Sequence, residues 1–219
     1  MRRVILIGIA FCLTSCSTTP VNGPAPTTLS PADRNEANGL ANRIAALSPT
    51  IRPDEAQRVS ETAYLTARRL AVEYQMTWPS GVQNYLIATG QRKRGYCFHW
   101  AEDIIAALSK LHLQTIELHW AEAFPNTSGE HNVPVVTAID QPYWQGIMLD
   151  GWRYAGVLYT SGVKEDMHLF EWHENKAQFA KVWSRALAKK APMPAAPSAT
   201  SPANAPASAA TTAPASTTR

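Results

Sequence analysis

The stretch RGYCFHWAEDIIAALSKL, residues 94–111, decides the fold of this chain. Apolar side chains follow Cys97 at intervals of four, three, four and three residues, at Ala101, Ile104, Leu108 and Leu111. This spacing is typical of the buried face of an α-helix, so it predicts a helix that begins near Cys97 and turns the thiol inward at its first turn. Gly95, just upstream, suits a close approach of the backbone to a substrate.

Helical patterns precede this stretch and strand patterns follow it. The expected helices cover residues 34–47, 53–76 and 82–88, and the second opens on Pro53-Asp54-Glu55, a helix-start signal. The expected strands cover residues 115–120, 133–139, 145–149 and 156–159. This order predicts an α+β fold, with an N-terminal helical lobe whose Cys97-bearing helix packs on an antiparallel sheet.

The N-terminus, MRRVILIGIAFCLTSC, has two arginines, a short apolar run and then small residues before Cys16. This pattern predicts a signal peptide over residues 1–15. The tetrapeptide Leu13-Thr14-Ser15-Cys16 also resembles the bacterial lipobox, and that resemblance implies a lipid on Cys16. A plain signal peptide with an incidental cysteine is the alternative. With Ser17 next in the chain, the resemblance further implies a lipoprotein of the bacterial cell envelope, held in the outer membrane and facing the periplasm.

Two further segments are expected to lie outside the folded domain. Residues 16–33 are interpreted as the lipidated cysteine and a flexible tether. Residues 189–219 consist almost entirely of Ala, Pro, Ser and Thr, a composition that predicts a disordered tail. Residues 34–188 then remain as one domain, in which Cys97 is the sole cysteine and has no partner for a disulfide.

Charge gives little support for a nucleic-acid partner. The formal net charge of +3 includes Arg2 and Arg3 of the signal peptide, so the processed chain is almost neutral. The longest basic run before the tail is Arg92-Lys93-Arg94. We therefore expect a membrane contact through the lipid and a protein or peptide substrate, with no nucleic acid and no cofactor.

Cys97 has the position of a catalytic cysteine, because a helix N-terminus favours the thiolate, which is the nucleophilic form. Such a cysteine needs a histidine base and a group that orients the histidine. His131 opens the strand HNVPVVTAI and shares its parity with residues that look buried. Asp150 ends the apolar run GIML and precedes Gly151, so it is either a turn residue or a functional carboxylate.

The other histidines are weaker candidates. His99 lies two residues along the helix from Cys97 and points away from it. His112 lies at the far end of that helix, and His119 has the polar parity of its strand and is expected to face solvent or to cap an edge. A zinc site that uses Cys97 is disfavoured because no ligands occur in short paired spacing.

Together, RGYCFHWAEDIIAALSKL, EHNVPVVTA and GIMLDGWRYAG resemble the transglutaminase-like superfamily over about residues 92–156. The resemblance implies a papain-like fold with Cys97 as nucleophile, His131 as general base and acid, and Asp150 as the group that holds the imidazole. Two departures concern Asn132, where the family often has an aromatic residue, and Gly151, where it often has proline. Gln91, at a papain-like offset from Cys97, is a candidate oxyanion donor.

These features predict a cysteine peptidase or amidase that cleaves amide bonds in envelope proteins or peptidoglycan peptides through a thioester. The alternatives are a protein-crosslinking acyltransferase and a binding lipoprotein that kept the fold without the activity. The motif GYCF also resembles that of arylamine N-acetyltransferases, but those enzymes are longer, cytosolic and use acetyl-CoA.

Overall fold

In the computed structural model of the chain, residues 20–188 are described. The predicted signal peptide over residues 1–15, the lipidation site Cys16 and the predicted tail over residues 189–219 lie outside the described residues. Within residues 20–188, no helix is both long and apolar enough to cross a membrane.

Six α-helices and five strands occur in the described part of the chain. The helices are α1 (Pro31–Ala45), α2 (Pro53–Glu73), α3 (Ser80–Ala88), α4 (Cys97–Leu108), α5 (Val163–Asp166) and α6 (Lys176–Ala188). The strands are β1 (Ile116–Ala123), β2 (His131–Ala138), β3 (Ile147–Tyr154), β4 (Val157–Gly162) and β5 (Trp172–Glu174).

The five strands form one sheet in the order β4-β3-β2-β1-β5, and every neighbouring pair is antiparallel. Helix α4 packs on β2 and β3, and α2 packs on α4 and on α1. The main hydrophobic core lies between these helices and the sheet, and it includes Leu70, Trp100 and Leu149, each at most 1% exposed. The predicted α+β fold, with α4 packed on an antiparallel sheet, is confirmed.

The folded domain begins earlier than predicted. Helix α1 starts at Pro31, because Ser30 caps it by accepting a hydrogen bond from the Asp33 backbone N–H at 3.1 Å. Asp33 is buried and forms an ion pair with Arg68. The segment 16–33, interpreted as a flexible tether, therefore contributes its last three residues to α1.

The C-terminal part of the domain holds elements that the sequence patterns did not predict. Strand β5 pairs with the edge of β1 through three residue pairs, and α6 follows it. Val182 of α6 belongs to a buried cluster with Ala101, Ile105 and Trp120, so α6 covers the side of α4. The expectation of helices first and strands afterwards thus holds only as far as β4, because α5 and α6 follow it.

Candidate active site

Cys97 is the first residue of α4 and is 7% exposed. The loop that leads to it is held by Gln83, which is fully buried and whose side-chain amide donates to the carbonyl oxygens of Tyr74 and Arg94, each at 3.0 Å. Gly95 has φ +126, and a Cβ there would lie 2.8 Å from the Gln83 side chain. Gly95 therefore allows the loop to pack closely against Gln83. The sequence had instead suggested that this glycine allows the backbone to approach a substrate.

His99 caps the helix that carries Cys97. Its Nδ1 accepts hydrogen bonds from the backbone N–H groups of Gly95 and Tyr96, at 3.2 and 3.3 Å. Burial and the charge of Arg94 lower the pKa of His99 to about 4, so the ring is neutral and Nδ1 is free to accept. The prediction that His99 does not serve Cys97 agrees with this placement.

His131 and Asp150 form a buried pair. Nε2 of His131 lies 2.7 Å from Oδ2 of Asp150, and the two residues are 2% and 1% exposed. His131 is the first residue of β2, and Asp150 lies in the neighbouring strand β3. Because the carboxylate can only accept, Nε2 carries the proton.

Three further hydrogen bonds hold Asp150. Oδ1 accepts the backbone N–H groups of Trp152 at 3.0 Å and Arg153 at 2.9 Å, and Oδ2 accepts Nε of Arg153 at 3.0 Å. Burial alone would raise the pKa of Asp150, but the charge and hydrogen bond of His131, the backbone bond of Arg153 and the charge of its guanidinium outweigh burial and lower it. Asp150 is therefore ionised at neutral pH.

Arg153 is shared between two carboxylates. Its Nη1 and Nη2 donate to Asp166 at 2.9 and 3.0 Å while its Nε donates to Asp150. Trp172 also donates its Nε1 to Asp166, at 3.1 Å. Each buried negative charge is thus paired and hydrogen-bonded, as burial of charge requires.

The imidazole of His131 is bound to Asp150 and lies near Cys97. Burial lowers its pKa, but the charge and hydrogen bond of Asp150, together with the neighbouring Cys97, raise it to about 9. Nδ1 is buried and has no hydrogen-bond partner among residues 20–188. Because Nε2 is bound to Asp150 and the pKa is raised, Nδ1 is the atom that can accept and hold a proton from a neighbouring thiol, as a general base must.

Aromatic rings surround His131. The centroids of Trp152, Phe170 and Trp172 lie 5.0, 5.1 and 5.6 Å from the centroid of its imidazole. These rings exclude water from the pair with Asp150, which strengthens the electrostatic attraction between the two side chains.

The sulfur of Cys97 has two polar neighbours. Sγ lies 3.5 Å from the carbonyl oxygen of Glu130 and 3.7 Å from Nδ2 of Asn132. Glu130 directly precedes His131 in the chain and Asn132 directly follows it. Residues at the start of β2 therefore lie against the thiol on one side.

The structure brings Cys97, His131 and Asp150 together, but it places Gln91 elsewhere. The side chain of Gln91 is exposed and donates to Oγ1 of Thr89 at 2.9 Å, in the turn that follows α3. The buried glutamine of this region is Gln83, and its side-chain amide is hydrogen-bonded to backbone groups. Gln91 is thus not positioned as an oxyanion donor.

His119 differs from its prediction. It is 7% exposed, with Nδ1 2.8 Å from Oε1 of Glu174 and Nε2 2.9 Å from Oγ1 of Thr137. The polar parity that suggested solvent exposure reflects this buried polar cluster, which connects β5 to β1 and β2. Strand β5, which the sequence did not reveal, covers the histidine.

Gly151 departs from the proline often found in the resembling family, and the structure gives a reason for the glycine. The ring of Trp100, in α4, fills the place that a Cβ at residue 151 would take. Close packing of α4 on β3 at this point fixes the position of Asp150 relative to Cys97.

Among residues 20–188, no three His, Cys, Asp or Glu side chains are arranged so that they could hold a metal ion. In comparisons with known proteins, no family model matches the chain, and neither the curated proteins nor the solved structures give a significant match. The function is therefore inferred from the site.

Sequence reasoning missed two contributors to the site. Asn132 was noted only as a departure from a family pattern, and Arg153 was not singled out. Arg153 follows Asp150 by three residues in a strand, so only the irregular register between Asp150 and Tyr154 brings its guanidinium back to the carboxylate.

Proposed function

We propose that the protein is a cysteine-dependent acyl-transfer enzyme of the transglutaminase-like type, and that it hydrolyses amide bonds. The observation that carries the proposal is a buried imidazole that is bound through Nε2 to Asp150 at 2.7 Å and belongs to the residue between Glu130 and Asn132, whose polar atoms lie 3.5 and 3.7 Å from the Cys97 sulfur. Three secondary-structure elements contribute one residue each, and the three side chains are buried together.

The chemistry follows from the charges of the site. The proton of the Cys97 thiol moves to Nδ1 of His131, and Asp150 stabilises the resulting imidazolium. The thiolate attacks an amide carbonyl, and a tetrahedral intermediate forms. His131 then gives its proton to the leaving amine, which yields a thioester on Cys97. Water attacks the thioester and gives a proton to His131, the C–S bond breaks to return the Cys97 sulfur with its electron pair, and the free acid leaves.

The proposed substrate class follows from the expected cellular location of the protein. With a signal peptide and a lipid on Cys16, the domain would meet envelope proteins and peptidoglycan peptides in the periplasm. Hydrolysis is proposed over crosslinking because water is always present as an acceptor, whereas an amine acceptor needs a site of its own.

The thioester is the species to test for. The full-length protein is incubated with an envelope extract and quenched in acid, and the tryptic peptide 95–110 is then analysed by mass spectrometry. That peptide contains Cys97 but neither Cys16 nor Cys12. We expect an acyl adduct on this peptide in the wild type, and we expect hydroxylamine to release it.

Cys97→Ala and His131→Ala are the matched variants. Neither is expected to accumulate the adduct, because one lacks the nucleophile and the other lacks the base. Material captured equally by wild type and Cys97→Ala would remove Cys97 from the mechanism. An adduct that only an added amine can discharge would favour the crosslinking acyltransferase over the hydrolase.

A further inference from the structure

Asn132 lies beside the nucleophile with its side chain held in one orientation. It is 4% exposed, and its Nδ2 is 3.7 Å from Sγ of Cys97. Nδ2 also donates to Oε1 of Glu130 at 2.8 Å, while Oδ1 accepts Nε1 of Trp120 at 2.8 Å. All polar atoms of the amide are therefore used, and one of its N–H bonds is directed at sulfur.

The neighbours of the amide exclude the flipped orientation. In the flipped state, NH₂ would face the indole N–H of Trp120, and the amide oxygen would face the carboxylate of Glu130. Both contacts would be repulsive, since an indole nitrogen only donates and a carboxylate only accepts. Trp120 is 1% exposed, so water cannot replace its acceptor. The donor at sulfur is thus preorganised.

We propose that Asn132 is a catalytic residue that supplies the side-chain hydrogen bond of the oxyanion hole. This inference rests on the proposed function. As Sγ bonds to the carbonyl carbon, the C=O π pair moves onto oxygen, and the negative charge passes from sulfur to an atom two bonds away. Nδ2 remains within reach of that oxygen, and the backbone N–H of Cys97 is the second donor. Asn132 takes the role that the sequence had suggested for Gln91.

Two reagents separate this role from a general effect on the thiol. Iodoacetamide alkylates the thiolate by displacement and forms no oxyanion, whereas p-nitrophenyl acetate acylates it through a tetrahedral oxyanion. For Asn132→Ala, we expect acylation of Cys97 to fall by about 10²–10³-fold, as for loss of one oxyanion donor. Alkylation is expected to change by less than about tenfold.

A double variant controls for the possibility that Asn132→Ala misfolds. Asn132→Asp keeps the acceptor for Trp120 but places a second carboxylate beside Glu130. Adding Glu130→Gln restores a donor–acceptor pair between the two side chains, yet leaves no N–H directed at sulfur. Because the carboxylate at residue 132 also disfavours the thiolate, the quantity compared with Glu130→Gln alone is the ratio of acylation to alkylation. This ratio is expected to fall in the double variant as it does in Asn132→Ala, while near-UV circular dichroism is retained.

The possible outcomes are distinct. Selective loss of acylation in both variants supports the oxyanion role. An equal loss of acylation and alkylation would show that Asn132 acts only on the thiol, and unchanged rates would show that it is structural; either would overturn the proposal. A wild-type Cys97 that p-nitrophenyl acetate does not acylate would instead refute the proposed function itself.

Discussion

Asp150 uses its two carboxylate oxygens for different tasks. Oδ1 accepts two backbone N–H groups and shapes the turn of the chain, while Oδ2 accepts His131 and Arg153. This arrangement raises the pKa of His131 to about 9 and lowers that of Asp150. The pair therefore contributes to the stability of the fold, because a pKa that differs between the folded and unfolded states makes the free energy of unfolding depend on pH.

The pH dependence of stability tests this pair. A raised histidine pKa stabilises the fold fully below the unfolded value of 6.5, and the contribution is lost as pH rises through about 9. The lowered pKa of Asp150 adds stability above its unfolded value of 3.8 that is lost as pH falls. We expect the free energy of unfolding in urea to fall by about 3 kcal/mol between pH 6.5 and pH 10.

Asp150→Asn is the control for this titration. The variant removes the carboxylate that raises the histidine pKa, so the alkaline loss of stability is expected to shrink to less than about 1 kcal/mol. Identical alkaline slopes in wild type and Asp150→Asn would contradict the assignment of the shift to Asp150.

The residues that the structure brings together were identified in the sequence from local signals. Cys97 and His131 stand at the start of α4 and β2, as predicted, whereas Asp150 was predicted at the end of a strand and lies within β3. The donor near sulfur could not be read, because the orientation of Asn132 depends on Trp120 in the neighbouring strand. The sequence spacing between Gln91 and Cys97 does not determine the conformation of the turn between them, so it did not predict where the side chain of Gln91 lies.

At the scale of elements, a buried carboxylate connects α2 to the start of β1. Glu55 is fully buried in the first turn of α2. Its Oε1 accepts the backbone N–H of Gln114 at 2.8 Å, and its Oε2 accepts N–H and Oγ1 of Thr115 at 2.8 and 2.7 Å. Burial would raise the pKa of Glu55, but the hydrogen bonds from Thr115 and Gln114 lower it, so the carboxylate is ionised. The helical lobe is anchored to the sheet at this point.

Glu55→Gln is expected to lower the free energy of unfolding by about 1–3 kcal/mol, because an amide NH₂ would face a backbone donor in a dry site. Asp54→Asn is the matched control in the same helical turn. Asp54 is 55% exposed and pairs with Arg52 on the surface, so its loss is expected to change stability by less than about 0.5 kcal/mol. Equal effects of the two substitutions in urea unfolding would contradict the anchoring role of Glu55.

Long periodic elements were predicted more fully than short ones. The apolar stripe of α2 predicted its whole length to within a few residues, since helical spacing repeats over 21 residues. Strand β5 has only three residues, too few to show alternation, and it exists because β1 offers it an edge. Its pairing is a long-range contact that no local pattern contains, and the burial of His119 follows from it.

At the scale of the whole domain, the proposed nucleophile and its proposed base belong to different layers. Cys97 begins α4, in the helical layer, while His131 and Asp150 belong to the sheet. Close packing of Trp100 against Gly151 joins the two layers next to the site. The sequence predicted both layers and the contact between them. It did not predict the packing of Trp100 on Gly151, which sets the position of α4 on the sheet and so brings Cys97 near His131.

The central claim is that Cys97 and His131 act as a pair, and the effect of His131→Ala on the alkylation of Cys97 tests it most directly. The quantity to measure is the iodoacetamide rate at about pH 7 in the wild type and in His131→Ala, followed on peptide 95–110 of the full-length protein. Removal of the imidazole uncovers Cys97, so a slower rate in the variant cannot be caused by burial of the thiol.

We expect the wild type to be alkylated at least about tenfold faster than His131→Ala, because the imidazole can take the proton of the thiol. Equal rates in the two proteins would contradict the claim that Cys97 and His131 form a catalytic pair.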